Sequence, residues 1–487
     1  MYYIGIDLGT SSVKGLLVDE KGKIIKEASA NYSVYYPQSG WSEQNPQDWL
    51  NATNGIINDL SEGKKSEIGG ISFGGQMHGL VILDEHDEVI RSCILWNDGR
   101  TQKQTAYLNE QVGKEKLSEF TANVAFAGFT APKILWVKEN EPENFARISK
   151  IMLPKDYLAY MLTGVHATDY SDASGTLLLD VKNKRWSDEM CEICSVKKEW
   201  LPKLYESFEV IGRVKAEYGL PNAVVTAGAG DNAAAAIGTG TVGDGDCNIS
   251  LGTSGTVFIS KDGFSVDDKN GLHSFVHATG KWHLMGCILS AASCNKWWIE
   301  DILKSDNYDL ATHGAEEKLG KNDVFFLPYL MGERSPHNDV NARGSFIGLR
   351  PDTSREEMAL AVMEGVAFAL KDCIEIARYS GLTVNSSNIC GGGAKSKLWK
   401  KIVANVLNLE VYCTETEQGP AYGAAILAMV GNGEYKDVSS ACKNIVRKKD
   451  LIKPDAVLVK LYEKKYAAFK TLYPSLKDFF ALTYGNN

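Results

Sequence analysis

Two aspartates that follow apolar, strand-like runs are the residues best suited to chemistry in this chain. Asp7 lies in the N-terminal run 4–9, and Asp231 follows the turn Gly228-Ala229-Gly230 and precedes a run of alanines. An aspartate at the start of a helix is most often only an N-cap. The small residues around Asp231, however, leave room for a substrate hydroxyl beside its carboxylate. We therefore interpret Asp231 as a candidate catalytic residue.

A glycine loop occurs twice, as Gly9-Thr10-Ser11 and as Gly252-Thr253-Ser254, each between two strand-like runs. Glycine lets the main chain approach an anion closely, and successive N–H groups in a turn form an anion-binding nest. One copy alone would be read as an ordinary hairpin. Two copies about half a chain apart favour a duplicated domain that clamps phosphates between its halves. The predicted phosphate contacts are Gly9, Thr10, Ser11, Lys14, Gly252, Thr253 and Ser254.

The two copies differ at the residue that would face a metal ion. The first copy carries Asp7, whereas the second has Ser250 at the matching place. Mg²⁺ bound near phosphates keeps several waters and needs few carboxylates. A carboxylate that could approach such an ion therefore belongs only to the first copy.

Two further segments after strands have side chains suited to a polyol or sugar. The loop from Gly75 to Gly79 presents Met77 and His78, and the segment 93–100 places Trp96 before Asp98. The ring of Trp96 can stack on a carbohydrate and Asp98 can hydrogen-bond to it. Either segment can equally be structural, since a hydrogen-bonded core histidine is the commoner case. Met77, His78, Trp96 and Asp98 are the predicted sugar contacts.

A third glycine turn, Gly391-Gly392-Gly393, follows the strand-like run that ends at Cys390. Glycines here leave a flat main-chain shelf on which adenine or ribose can lie. The alternative is a tight connection between a strand and a helix. The predicted nucleotide contacts are Gly392, Gly393, Ala394 and Ser396.

Length and composition limit the class of protein. A chain of 487 residues is too long for one core, so two domains are the default and three remain open. The net charge of −9, with no basic tract, argues against a nucleic-acid or anionic-membrane partner. No apolar run reaches the roughly 18 residues of a membrane span, and no signal-peptide pattern precedes the first strand. We expect a cytoplasmic protein.

The 10 cysteines are scattered, which indicates reduced core thiols. The close pair Cys191 and Cys194 has the spacing of a redox or half-zinc motif, but no second pair or histidine cluster follows it. We interpret this spacing as accidental, on a helix.

Strand-like and helical segments alternate along the chain, which predicts an α/β fold with crossover helices. Ligands in such folds bind where strands end in loops, and the candidate residues stand at such places. The repeat of the glycine loop near Asp246 divides the chain into expected domains at residues 1–245 and 246–487.

Two longer patterns carry a family resemblance. The segment Gly128–Asn140 and the segment from Gly344 through Glu364 match patterns of the FGGY carbohydrate kinases, and the chain resembles this family almost from end to end. The resemblance implies two ribonuclease-H-like domains of the actin and hexokinase type, with a nucleotide cleft between them. One departure is Ala229, where the family more often has a glycine.

Within the family, Gln76–Gly79, Leu95–Arg100 and Leu153–Tyr157 resemble the branch that phosphorylates D-xylulose with ATP and Mg²⁺. That resemblance implies that Asp231 is the catalytic base, that Met77 and His78 contact the ketose, and that Asn232 helps to hold it. It also implies that Asp7 is needed near the metal, which it approaches through water. The first half of the chain would then hold metal and sugar, and the second half is left to the phosphates and the adenosine end. The expected partner is a small-molecule sugar, with a homodimer left open. The alternatives are an FGGY kinase for ribulose, fuculose or gluconate, and a non-catalytic actin-like or sugar-sensing ATP-binding protein.

Overall fold

The structure is a computed structural model that describes residues 1–267, 269–308, 312 and 314–485. Its strands are β1 (Tyr2–Leu8), β2 (Ser12–Asp19), β3 (Ile24–Asn31), β4 (Glu43–Gln44), β5 (Ile68–Gly75), β6 (Val81–Leu83), β7 (Cys93–Ile94), β8 (Lys150–Met152), β9 (Ala167–Asp169), β10 (Leu179–Asp180), β11 (Arg185–Trp186), β12 (Lys203–Tyr205), β13 (Val210–Arg213), β14 (Val224–Thr226), β15 (Ala229–Gly230), β16 (Cys247–Leu251), β17 (Gly255–Lys261), β18 (His273–Val276), β19 (Trp282–Ile288), β20 (Phe325–Leu327), β21 (Ser345–Ile347), β22 (Ser386–Cys390), β23 (Glu410–Thr414) and β24 (Lys448–Ile452).

The α-helices are α1 (Pro46–Ser61), α2 (Gln102–Ala106), α3 (Lys114–Thr121), α4 (Thr130–Asn140), α5 (Pro142–Ala146), α6 (Pro154–Thr163), α7 (Tyr170–Ala173), α8 (Asp188–Cys194), α9 (Asp231–Gly238), α10 (Ala292–Lys296), α11 (Arg355–Tyr379), α12 (Lys397–Leu407), α13 (Gly419–Gly431), α14 (Val438–Ile445) and α15 (Ala456–Tyr484). Among the described residues, none of these helices combines the length and the apolar character needed to cross a membrane.

Two large mixed sheets share one topology. The first has the order β13-β14-β5-β1-β2-β3, and the second has the order β24-β23-β22-β16-β17-β19-β18. In each, a central strand forms an antiparallel hairpin with the next strand and a parallel pair on its other side, as β1 does with β2 and β5 and β16 does with β17 and β22. The two Gly-Thr-Ser loops join the equivalent hairpins. The duplication predicted from the repeated loop is confirmed, and so is the α/β fold class.

The sheets are covered by helices whose sequences fit that position. Helix α11 begins with a capping box, in which Ser354 and Glu357 satisfy each other's backbone N–H groups. One core cluster joins α11 and α12 to the second sheet, and another joins α1 and α6 to the first sheet. Both cores are closely packed, so the sheets form a rigid base for the loops at their strand ends.

Helix α13 lies in the second half of the sequence but packs on β1 and β5 of the first sheet and on α9. The contact with α9 requires glycine: a Cβ atom on Gly423 would lie 1.8 Å from the Ala234 carbonyl oxygen, and one on Gly238 would lie 2.0 Å from that of Gly419. The small residues of α13 therefore permit the helix that begins at Asp231 to lie against it. The domain boundary between residues 245 and 246 stays a prediction. Each large sheet takes its strands from one side of this boundary, but α13 lies after it and packs on the first sheet.

Candidate active site

Asp231 is the first residue of α9, directly after the short strand β15. The N-cap position belongs to Gly230, whose residue type has no capping side chain. The backbone N–H of Asn232 and its Nδ2 both donate to Asp231 Oδ1, at 2.7 and 2.9 Å. These bonds fix the carboxylate and leave Oδ2 as the oxygen to accept a proton. Asn232 thus orients Asp231 in this structure, and its sugar contact stays a prediction.

Asp7 and Asp231 lie close enough for their charges to interact. Burial raises the pKa of Asp7 to about 7, with a further increase from the Asp231 carboxylate and a small decrease from Lys14. Burial also raises the pKa of Asp231 to about 6, although the bonds from Asn232 lower it. Lys14 stands opposite Asp7 in the β1–β2 register. The first Gly-Thr-Ser loop is therefore flanked by a carboxylate pair that shares a partly dehydrated cleft.

This carboxylate pair should destabilise the fold at neutral pH. Both pKa values are raised above 3.8, so between about pH 4 and pH 7 the folded state binds more protons than the unfolded chain, and stability falls as the pH rises. We expect Asp7→Asn to increase the free energy of unfolding at about pH 7.5 by about 1–2 kcal/mol, a figure reduced for partial solvent exposure. Melting temperatures measured at both ends of this range test the prediction. The stability gain of Asp7→Asn over the wild type should vanish near pH 4.

Asp262→Asn is the matched control, because Asp262 is exposed and pairs with Lys281 on a distant hairpin. Its melting temperature should follow that of the wild type at every pH. A lower melting temperature for Asp7→Asn at neutral pH would contradict the electrostatic description of the pair.

His78 is held at the end of β5 by contacts on both its backbone and its ring. Its φ is 70°, and its carbonyl oxygen accepts from Thr130 Oγ1 at 3.1 Å and from Lys133 Nζ at 2.7 Å. Its ring stacks on Phe129 with 4.7 Å between centroids, and Nδ1 lies 2.7 Å from the Gly175 carbonyl oxygen. Burial lowers the pKa of His78 well below its usual value, so the ring is neutral. Nδ1 must then carry the proton, which leaves Nε2 as an acceptor for a hydroxyl.

Met77 connects the His78 loop to the turn before Asp231. A Cβ atom added to Gly230 would lie 3.0 Å from Met77 Sδ, and one added to Gly175 would lie 3.0 Å from Met77 Cε. The thioether thus fills the space between these two glycines. The structure brings together Met77, His78 and Asp231, which the sequence had placed in separate segments.

Trp96 and Asp98 have different surroundings. Trp96 is 42% exposed, and its Nε1 donates to Thr10 Oγ1 at 3.0 Å, so the indole borders the first Gly-Thr-Ser loop. The Asp98 side chain is 0% exposed and accepts from the Ser42 N–H at 2.6 Å and from Arg100 at 2.8 and 2.7 Å. These bonds engage the carboxylate within the protein, and its sugar contact stays a prediction. Asp98 supports the turn that carries Trp96.

Both Gly-Thr-Ser loops have their carbonyl oxygens tied to the protein. In the first loop, Gly9 O accepts from the Tyr32 hydroxyl and Thr10 O accepts from Gln44 Nε2 at 2.7 Å. In the second, Gly252 O accepts from the Ala292 N–H at 2.8 Å, and Thr253 O accepts from Ser293 Oγ at 2.7 Å. Carbonyl oxygens repel phosphate, so tying them back suits the loops to bind an anion.

A pocket of about 700 Å³ lies beside the second loop, within the usual size range for a small-molecule site. Its lining includes predicted nucleotide contacts, namely Gly252, Thr253, Gly392, Gly393 and Ser396. Ser396 also caps α12, accepting from the Trp399 N–H at 3.2 Å. Ala394 is buried within the 392–395 turn, and Ser254 is half-buried just before β17. The contacts of Ala394 and Ser254 with a nucleotide stay predictions.

Sequence reasoning missed several residues of this pocket, including Ser293, Asn295, Lys296 and Trp399. Asn295 is 7% exposed, and its Oδ1 is buried without a hydrogen-bond partner among the described residues. A buried amide oxygen of this kind is costly unless a ligand satisfies it. The sequence feature that could have indicated these residues is the run of small residues at 290–293. It follows a strand and precedes a helix, as the glycine turns of the predicted site do.

Arg334, from the second half of the chain, is another site residue that the sequence analysis did not predict. Its guanidinium lies 5.2 Å from the Phe126 ring centroid, and its charge contributes to lowering the pKa values of His78 and His273. Burial is the larger cause for both histidines. Arg334 thus approaches the His78 loop from the second half of the chain. Its sequence signal was a charged pair, Glu333-Arg334, in a glycine turn soon after a strand.

The chain matches two family models in succession. Residues 2–238 match the N-terminal domain of the FGGY family of carbohydrate kinases, and residues 247–431 match its C-terminal domain. The xylulose kinase of Bacillus subtilis strain 168 is 39% identical, over 98% of this chain and 97% of its own. These matches confirm the family that the sequence predicted.

Solved structures give the same result. The crystal structure of a xyloylose kinase from Brucella ovis is 39% identical with a TM-score of 0.94, over 98% of this chain and all of its own. A gluconate kinase from Lactobacillus acidophilus is 28% identical with a TM-score of 0.94, over 99% of both chains. Full-length matches of this kind include both predicted domains. The chain belongs to the FGGY family of carbohydrate kinases.

Proposed function

We propose that this enzyme transfers the γ-phosphoryl group of ATP to the terminal hydroxyl of D-xylulose, giving D-xylulose 5-phosphate and ADP. The proposal rests on one arrangement: Asp231 follows the glycine against which Met77 packs, His78 is next to Met77, and a loop suited to phosphate lies beside them. The relatives named as xylulose kinases support the choice of sugar, because they match over nearly the whole chain.

In this reaction Asp231 orients the hydroxyl and accepts its proton. Its pKa of about 6 is far below that of an alcohol, so it does not ionise the sugar in advance. The proton moves late, as the bond to phosphorus forms in a loose transition state. Oδ1 is held by Asn232, so Oδ2 is the acceptor. His78 Nε2 accepts from a second sugar hydroxyl, and the guanidinium of Arg334 donates to sugar oxygens from the opposite side.

The phosphates lie between the two Gly-Thr-Ser loops, whose N–H groups stabilise the charge on the transferring group. Lys14 and the pocket around Gly392 hold the rest of the nucleotide. The environment of Asp7 fits Mg²⁺, since its carboxylate is partly buried beside another carboxylate and has a raised pKa. Asp7 would hold the ion through water, because Mg²⁺ keeps several of its waters and binds few carboxylates. The ion, when bound, neutralises phosphate charge.

A gluconate kinase activity is the second candidate. The fold does not distinguish it from the first, because a gluconate kinase and a xylulose kinase from Lactobacillus acidophilus both match with a TM-score of 0.94. It is favoured by Arg334, whose guanidinium lies 5.2 Å from the Phe126 ring centroid and whose charge acts on His78. A guanidinium is well suited to binding a carboxylate group.

A substrate panel distinguishes these activities. Purified enzyme with ATP and Mg²⁺ is assayed by coupled ADP release on D-xylulose, ribulose, fuculose, gluconate and glycerol. We expect kcat/KM for D-xylulose to exceed that for each other acceptor by about tenfold or more, the scale of discrimination that pocket contacts provide. A higher value for gluconate would favour the second candidate. ADP release that no sugar stimulates would contradict both.

A further inference from the structure

A cluster of buried charges lies beneath the turn that precedes Asp231. Lys155 Nζ is 2.7 Å from Asp156 Oδ1 and 2.9 Å from Asp169 Oδ1, and these side chains are essentially inaccessible to solvent. Burial alone would lower the pKa of Lys155, but the surrounding carboxylates raise it above its usual value. The lysine is therefore charged. Its Nζ also donates to the Ala227 carbonyl oxygen at 3.2 Å, so the cluster holds the first end of the turn 227–230.

A serine extends the cluster to the other end of the same turn. Ser171 donates both its N–H, at 2.8 Å, and its hydroxyl to Asp169 Oδ2. The same hydroxyl oxygen accepts from the Gly230 N–H at 3.1 Å. A hydroxyl that donates to a carboxylate becomes a stronger acceptor, because chained hydrogen bonds polarise one another. Gly230 immediately precedes Asp231, so both ends of the turn are tied to one buried group.

We propose that Ser171 is a positioning residue for Asp231. Its hydroxyl links the Lys155–Asp169 pair to the Gly230 amide through two hydrogen bonds. The bond to Gly230 sets where α9 begins and where the Asp231 carboxylate lies. The inference rests on the proposed function, in which Asp231 accepts the proton of the sugar. A displacement of about 1 Å at a reacting group can cost roughly a hundredfold in rate.

Ser207 provides a matched control. Its hydroxyl donates to the same Asp169 Oδ2 at 2.7 Å, and it is 2% exposed whereas Ser171 is 1% exposed. The Ser207 side chain has no hydrogen bond to Gly230 among the described residues; only its carbonyl oxygen contacts the turn, by accepting from the Gly228 N–H. Ser171→Ala and Ser207→Ala therefore each remove one hydroxyl hydrogen bond to Asp169 Oδ2, but only Ser171→Ala removes the bond to Gly230.

We expect Ser171→Ala to lower kcat by about tenfold or more while KM for D-xylulose changes by less than about threefold. Ser207→Ala should keep kcat within about threefold of the wild type. The pKa of Asp231 depends first on its burial and then on its bonds from Asn232, so it is sensitive to the position of the turn. The acid limb of the pH profile of kcat/KM should therefore move in Ser171→Ala alone. Ser171→Thr, which keeps the hydroxyl, should recover most of the lost kcat.

Equal kcat values and equal pH profiles for Ser171→Ala and Ser207→Ala would overturn the inference. Should Ser171→Ala not purify as a folded protein, Ser171→Cys is measured in its place, because a thiol is only a weak acceptor. A wild-type kcat in that variant would likewise overturn it. Failure of the proposed function is recognised separately: the wild type would then lack sugar-dependent ADP release, or Asp231→Ala would keep it.

Discussion

Asp231→Asn is expected to lower kcat for D-xylulose phosphorylation by roughly 10²–10⁴, the usual contribution of a positioned general base. The amide has the shape of the carboxylate but cannot take the proton of the sugar hydroxyl. Met77 and His78, which form the proposed sugar side, keep their contacts with Gly230 and Gly175 in this variant. Binding of D-xylulose, measured by isothermal titration calorimetry, should therefore remain within about tenfold of the wild type.

Asp262→Asn removes one carboxylate far from the site and serves as the control for charge. Its kcat and its sugar affinity should both match the wild type. Near-normal turnover in Asp231→Asn would show that another group accepts the proton. A loss of sugar binding as large as the loss of kcat would instead assign Asp231 to substrate binding.

Gly392→Leu is expected to raise KM for ATP by about tenfold or more. A tenfold change corresponds to the binding free energy of one or two good contacts. Gly392 lines the pocket beside the second Gly-Thr-Ser loop, and no heavy atom of the described residues lies within 4 Å of the position where its Cβ would stand. A leucine there has space in the folded protein but occupies volume that the nucleotide needs. KM for D-xylulose should change little, because the sugar side is formed by other loops. Steady-state kinetics with each substrate varied in turn measure the split.

Gly263→Leu is the matched control, since Gly263 also has no heavy atom of the described part of the chain within 4 Å of its would-be Cβ, and it lies on an exposed turn outside the pocket. Both variants should melt near the wild-type temperature. An unchanged KM for ATP in Gly392→Leu, in a folded protein, would exclude the 391–396 turn from the nucleotide site.

The parts of the site that follow strands could be predicted from the sequence. Asp231, Met77 and the Gly392 turn each stand where an apolar run ends at glycine, and the structure places each of them at the end of a strand. Loops at strand ends face ligands in α/β folds, so local composition was informative. The repeated Gly-Thr-Ser motif predicted two equivalent hairpins for the same reason.

Contacts between distant segments could not be predicted in this way. Asp98 resembled a sugar ligand by composition, yet the Ser42 N–H and Arg100 enclose its carboxylate. Arg334 is more than 200 residues from His78 in sequence, and only folding brings its charge near that ring. Helix α13 likewise crosses to the first sheet because glycines permit close contact with α9, a property that depends on both helices at once.

The proposed reaction is tested most directly by identifying its product. Purified enzyme is incubated with ATP, Mg²⁺ and D-xylulose, and the mixture is followed by ³¹P nuclear magnetic resonance. We predict one new phosphomonoester signal, correlated with the protons of the terminal carbon of the sugar, that grows in equal amount with ADP. Inorganic phosphate as the only new signal, or ADP formation that is independent of D-xylulose, would contradict phosphoryl transfer to this sugar.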